Sequence, residues 1–155
     1  MIKIAKNDSE FNNEENEKNS NEDLLDIELL KTRAMAQIIM VYSYLFDYAS
    51  TLQEIKEIEN ENFFEEYERE TDPDILAILA AKYGLIGRTI LTKTSEIQFS
   101  RLEEHYRRGV LNAVRSANFE LYISDVLEQL AYGYNLVGVV ELYKIKKYIK
   151  FQKDK

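Results

Sequence analysis

Arg101, Arg108 and Arg115 recur every seventh residue, so on a helix they share one face, with Arg107, His105 and Asn112 close by. A planar guanidinium binds phosphate and carboxylate equally well, which leaves two partners for this stripe. One is a phosphate backbone; the other is the chain's own acidic stretch, Glu57, Glu59, Glu61, Glu65, Glu66, Glu68 and Glu70. Glu54/Glu57 and Glu65/Glu68 have the i, i+3 spacing of carboxylate pairs that hold Mg²⁺, but no second well-formed helix supplies a matching pair, so no metal ligand is assigned. Helical di-iron sites need two Glu-x-x-His motifs, and the chain has one histidine, His105, which reads as a solvated surface residue. There is no cysteine, no G-x-S-x-G motif and no phosphate-cradling glycine loop. The expectation is a protein that is not an enzyme, with no catalytic residue, cofactor or small-molecule substrate.

A second constellation lies in a repeat. Residues 74–93, DILAILAAKYGLIGRTILTK, align with 125–144, DVLEQLAYGYNLVGVVELYK, with nine identical pairs out of twenty. Gly84 corresponds to Asn135, and both residue types accept the left-handed conformation of a sharp turn. The segment LAAKYGLIGRTIL (79–91) resembles the helix-turn-helix pattern of DNA-binding proteins. That resemblance puts Ala80 at the helix crossing, Gly84 in the turn and Leu85 in the core. It implies that Arg88, Thr89, Thr92 and Lys93 are exposed to touch phosphates and bases. Ile86 stands where a polar helix cap is usual. In the second copy the outward positions are Val137, Val139, Val140 and Glu141, which suit a core.

These groups need helices to hold them. One proline and five glycines in 155 residues leave few breaks, which favours long helices over strands. Ser20 with Asp23 marks a helix start, after which Leu24, Ile27, Ala34, Ile38, Val41, Leu45, Tyr48, Leu52 and Ile55 keep a 3–4 spacing interrupted only by Lys31. Ile39, Tyr42, Phe46 and Ala49 widen that stripe. A helix this long serves as a bundle spine or as a surface shared with a second copy; Ile38, Val41, Leu45, Tyr48, Leu52 and Ile55 are the candidate self-association face. Asp72-Pro73-Asp74 is the best helix start in the chain. Gly84 is expected to end that helix, with a third running to about Lys93, a fourth from Ser95, and a last over 136–151. The predicted fold is all-α: a bundle of about five helices with a long first helix and two similar helix-turn-helix corners.

The net charge of −8 conceals an asymmetry. Residues 1–74 carry −13 and residues 75–155 carry +5. Such a chain can fold its halves together, associate head to tail, or offer a basic face to an acidic partner. Residues 1–20, rich in Asn and Glu, read as a disordered tail; 21–151 as one helical domain; 152–155 as a basic C-terminal tail. No secretory leader is visible. The apolar segment Ile75–Leu91 carries Lys82 and Arg88, so no membrane span is expected and the location reads as cytoplasmic. The function expected is that of a non-catalytic helical adaptor or regulator that binds a protein partner or a second copy of itself, nucleic acid being the alternative.

Overall fold

A computed structural model describes residues 5–63, 71–109 and 115–153, with side chains described for 23–60, 71–109 and 116–152. It contains three helices: α1 (Ala5–Phe63), α2 (Pro73–Arg107) and α3 (Arg115–Lys153), and no strand among the described residues. The all-α expectation holds; the count of about five helices does not.

The ends of α2 follow local chemistry. Asp72 is extended (φ −69°, ψ 118°) and its Oδ1 accepts from the Asp74 amide at 3.0 Å; Pro73 fills the first turn, where no amide is needed, and Asp74 favours the positive end of the helix dipole. At the other end Gly109 takes φ +78°, and its amide donates to the Tyr106 carbonyl at 2.9 Å. This glycine, not Gly84, takes the left-handed conformation that ends α2. Upstream, the described backbone carries α1 back to Ala5, beyond the Ser20 cap, through a stretch with neither glycine nor proline. The proposed tail's side chains lie outside the described residues, as do residues 64–70 and 110–114.

Both expected helix-turn-helix corners are absent: α2 runs straight through Gly84 and α3 through Asn135. A glycine in a helix interior costs about 1 kcal/mol relative to alanine, and here close packing offsets that cost. A methyl group on Gly84 would lie 2.6 Å from Tyr132 Cδ1 and 2.9 Å from Ser43 Oγ. One on Gly87 would lie 2.8 Å from Met40 Sδ and 3.1 Å from the Ala36 carbonyl oxygen. The two glycines let neighbouring helices approach; they do not bend their own.

The helices run alternately up and down. Against α2, α1 places Ser50 Oγ on the Pro73 carbonyl (2.8 Å), Ser43 Oγ on the Ala80 carbonyl (2.7 Å) and Asp26 on Arg101. On the other flank, Asp125 of α3 meets Arg88 at 3.3 Å, and Lys146 reaches Asp74 at 2.6 Å. Thus α2 is the middle of an open three-helix layer. Among the described residues the backbones of α1 and α3 do not pack together; their side chains meet where Tyr44 and Tyr132 hydroxyls lie 3.4 Å apart.

The core is thin. Among the described residues its buried apolar members are Leu29, Ala36, Met40, Ala80, Ala81 and Leu91, and no large side chain there is wholly enclosed. Phe46 stacks on Tyr83 (5.4 Å between ring centres) and Phe99 on Tyr122 (5.7 Å), sealing the two helix–helix seams.

Candidate functional site

The long first helix has two faces, and they sit on opposite sides. Leu29, Ala36, Ser43 and Ser50 recur every seven residues and are all buried against α2, with Met40 beside them. Ile39 and Phe46 are partly buried along the same side. With 3.6 residues per turn, the stripe Ile38, Val41, Leu45, Tyr48, Leu52, Ile55 falls roughly 170° away from this packed face. All six side chains are exposed: Ile38 by 57%, Leu45 by 56% and Tyr48 by 64%. The anticipated self-association residues therefore form one exposed ridge among the described residues, continued towards the N-terminus by Ala34, Ile27 and Leu24. Single exposed apolar residues are ordinary; here six of them follow one another along a single helix face at coiled-coil spacing.

The packing face itself was missed in the sequence, although small residues at a strict interval of seven were there to be seen. Aliphatic bulk drew attention to the outer stripe, whereas close helix approach needs alanine, serine and glycine.

The residues proposed to touch nucleic acid are scattered or engaged. Arg88 forms ion pairs with Asp125 and Glu128 of α3. Thr89 donates to the Leu85 carbonyl at 2.8 Å and accepts from Gln129 at 3.1 Å. Thr92 is buried, its hydroxyl on the Asp125 carbonyl at 3.0 Å. These three point into the α2–α3 seam and not outward, because α2 continues as a helix where a corner was expected. Lys93 is exposed and paired with Glu96 at 2.5 Å, which raises its pKa. Arg101 binds Asp26 of α1, and Arg108 binds Glu104 one turn earlier in its own chain. The side chain of Arg115 lies outside the described residues. Arg101 and Arg108 thus pair with acids outside the stretch 57–70 that the sequence suggested. The acids are Asp26 and Glu104; the side chains of Glu61, Glu65, Glu66, Glu68 and Glu70 lie outside the described residues.

Two of the concavities among the described residues bear on the site. A cleft of about 500 Å³ between α1, α2 and the start of α3 is lined by Asp26, Leu30, Gln98, Arg101, Leu102, His105 and Asn118. His105 is partly buried there, not simply solvated. A smaller hollow of about 220 Å³ lies beneath Tyr44 and Tyr132, floored by Ala77, Ala80 and Ala81. Tyr132 is partly buried, and that burial together with the Tyr44 hydroxyl pushes its phenol up to about 12. No cluster of three or more metal-ligating residues occurs among the described residues. Of the tyrosines near the C-terminus, Tyr132 turns inward over Gly84, Tyr134 is 79% exposed, and Tyr143 lies under the Lys147 ammonium.

By length and composition α2 is apolar enough to cross a membrane. The core helix of a soluble protein can have the same character, and this stretch of α2 carries Arg88, which pairs with Asp125 and Glu128 of α3. Comparison of the chain with protein-family models, characterised proteins and solved structures gave no match. Its class therefore rests on its own geometry: an open, antiparallel three-helix layer with an apolar ridge along its outer helix.

Proposed function

We propose that this chain is a non-catalytic helical adaptor or regulator that works in the cytoplasm by binding a macromolecule, and that its first partner is a second copy of itself. The observation that carries this reading is the exposed stripe Ile38, Val41, Leu45, Tyr48, Leu52, Ile55 on the side of α1 turned away from α2. A coiled-coil seam left bare in water is costly, and covering it with another helix is the cheapest remedy. The six side chains, each offering on the order of 100 Å², approach the ~800 Å² per partner of a standard interface before their neighbours are added.

The nucleic-acid alternative draws no support from the arrangement of Arg88, Thr89 and Thr92, which serve the α2–α3 seam. What remains for it is Lys93 and an arginine stripe that already carries carboxylates.

Light scattering after size exclusion tests the proposal. The full chain is expected to run as a dimer, and a Leu45→Asp variant as a folded monomer with unchanged helical content. A wild-type monomer across the micromolar range would sink it.

A further inference from the structure

We infer that the second copy docks antiparallel along the α1 ridge, in one register centred near Ser43, so that two copies related by a two-fold axis cover each other's seam. This rests on the self-association proposed above and adds the partner helix, its direction and its alignment.

The ridge reads as a heptad of its own. Lys31, Ile38, Leu45, Leu52 and Glu59 occupy one core position, and Ile27, Ala34, Val41, Tyr48 and Ile55 the other. Only Lys31 and Glu59 are charged, and they lie at opposite ends. In a parallel pair each core residue faces itself, which sets Lys31 against Lys31 and Glu59 against Glu59, like charges in the seam. In an antiparallel pair the two core positions alternate across the interface. Leu45 then meets Val41 of the second copy, Ile38 meets Tyr48, and Leu52 meets Ala34. Lys31 now packs over Ile55 of the second copy, one helical turn from its Glu59, so each end of the seam brings opposite charges together.

The flanks select the same register. Glu28 and Lys56 occupy equivalent edge positions on the side of α1 away from α3, and the antiparallel alignment brings Glu28 of each copy beside Lys56 of the other. Between them that edge carries Met35, Tyr42 and Ala49, with no charge to repel its own image. Two-fold symmetry makes every one of these pairings occur twice, as a self-complementary patch requires. Exposure agrees: Met35 is 66% and Tyr42 53% open.

Because the chain contains no cysteine, introduced thiols report alone. Ala34→Cys and Leu52→Cys variants are prepared separately, mixed under reducing conditions to exchange subunits, and then air-oxidised. The expected result is a disulfide-linked dimer from the mixture and little from either variant alone. In a parallel pair, positions 34 and 52 are roughly 27 Å apart along the axis, at 1.5 Å per residue, and cannot be joined. Self-crosslinking of each variant alone would overturn the antiparallel register while leaving self-association standing. A dimer by light scattering that yields no crosslink in any combination would place the interface elsewhere, for instance on α3, and overturn the assignment to α1. A monomer would overturn the register and the proposed function together. Charge reversal supplies an independent check: Glu28→Lys or Lys56→Glu alone should weaken the dimer by roughly two- to tenfold, and the double reversal should restore it. No restoration in the double variant would count against the register.

Discussion

The ring of Tyr132 lies across the bare Cα of Gly84, where a β-carbon would sit 2.6 Å from its Cδ1 atom. Thus the middle helix is pinched at one point between Tyr132 of α3 and Ser43 of α1. Glycine is required there by proximity, since Gly84 continues the helix on both sides.

The repeat supplies an internal control. Gly87 aligns with Gly138, yet Gly87 abuts Met40 and the Ala36 carbonyl while Gly138 has nothing within 4 Å. Replacing Gly84 by alanine is expected to lower stability by about 1–2 kcal/mol, the overpacking outweighing the better helix propensity. Gly138→Ala should instead raise stability by about 0.5–1 kcal/mol. Urea denaturation followed by circular dichroism decides the matter; equal effects at the two sites would mean that the close approach at Gly84 is not real.

Arg88, drawn from sequence as a DNA contact, predicts something different in its actual place. Its guanidinium meets Asp125 at 3.3 Å with both side chains about one-fifth exposed, and the same carboxylate accepts from Ser95. A double-mutant cycle between Arg88→Ala and Asp125→Ala is expected to give a coupling of about 1–2 kcal/mol, more than an exposed pair provides. A coupling near zero would return Arg88 to the surface and reopen the nucleic-acid reading.

How much of this was legible in the sequence depends on which force set each feature. The α2 start was readable because Asp72, Pro73 and Asp74 act through their own backbone. The outer ridge of α1 was readable because its period is stated by bulky residues. The corner at Gly84 was misread because a glycine in an apolar run looks the same whether it turns the chain or admits a neighbour. Only Ser43 and Tyr132, 41 residues before and 48 after it, distinguish the two cases. The partners of Arg101 were misassigned for the same reason, since long-range pairing with Asp26 leaves no local signature. Nor does the repeat imply equal roles, because α2 has a helix on both flanks and α3 on one.

Tyr132 makes stability depend on alkaline pH. Burial, reinforced by the Tyr44 hydroxyl, holds its phenol near 12, above the ordinary value of about 10. A group whose pKa is raised on folding keeps its proton more firmly in the native state. Its contribution is therefore full below pH 10 and is lost as the pH climbs from about 10 through 12. The expected outcome is that wild type loses more stability over this window than Tyr132→Phe. Ultraviolet titration of the phenolates should also show one late-ionising tyrosine that the variant lacks. Parallel alkaline profiles for the two proteins would mean that Tyr132 is solvated like the rest.

Stability should also depend on protein concentration. Among the described residues the buried apolar side chains include only three of any size, Leu29, Met40 and Leu91; the others are alanines. Meanwhile the whole outer ridge of α1 stays in water, so a single copy leaves much of its best apolar surface unburied. If association completes the core, folding and assembly are linked, and each tenfold rise in chain concentration should add about 1.4 kcal/mol per dimer to the apparent stability. Denaturation midpoints measured from about 1 to 100 µM should climb accordingly for wild type and stay flat for Leu45→Asp, whose ridge cannot close. A wild-type midpoint unmoved over that range would show that three helices suffice alone, and the ridge would then need an occupant other than a second copy.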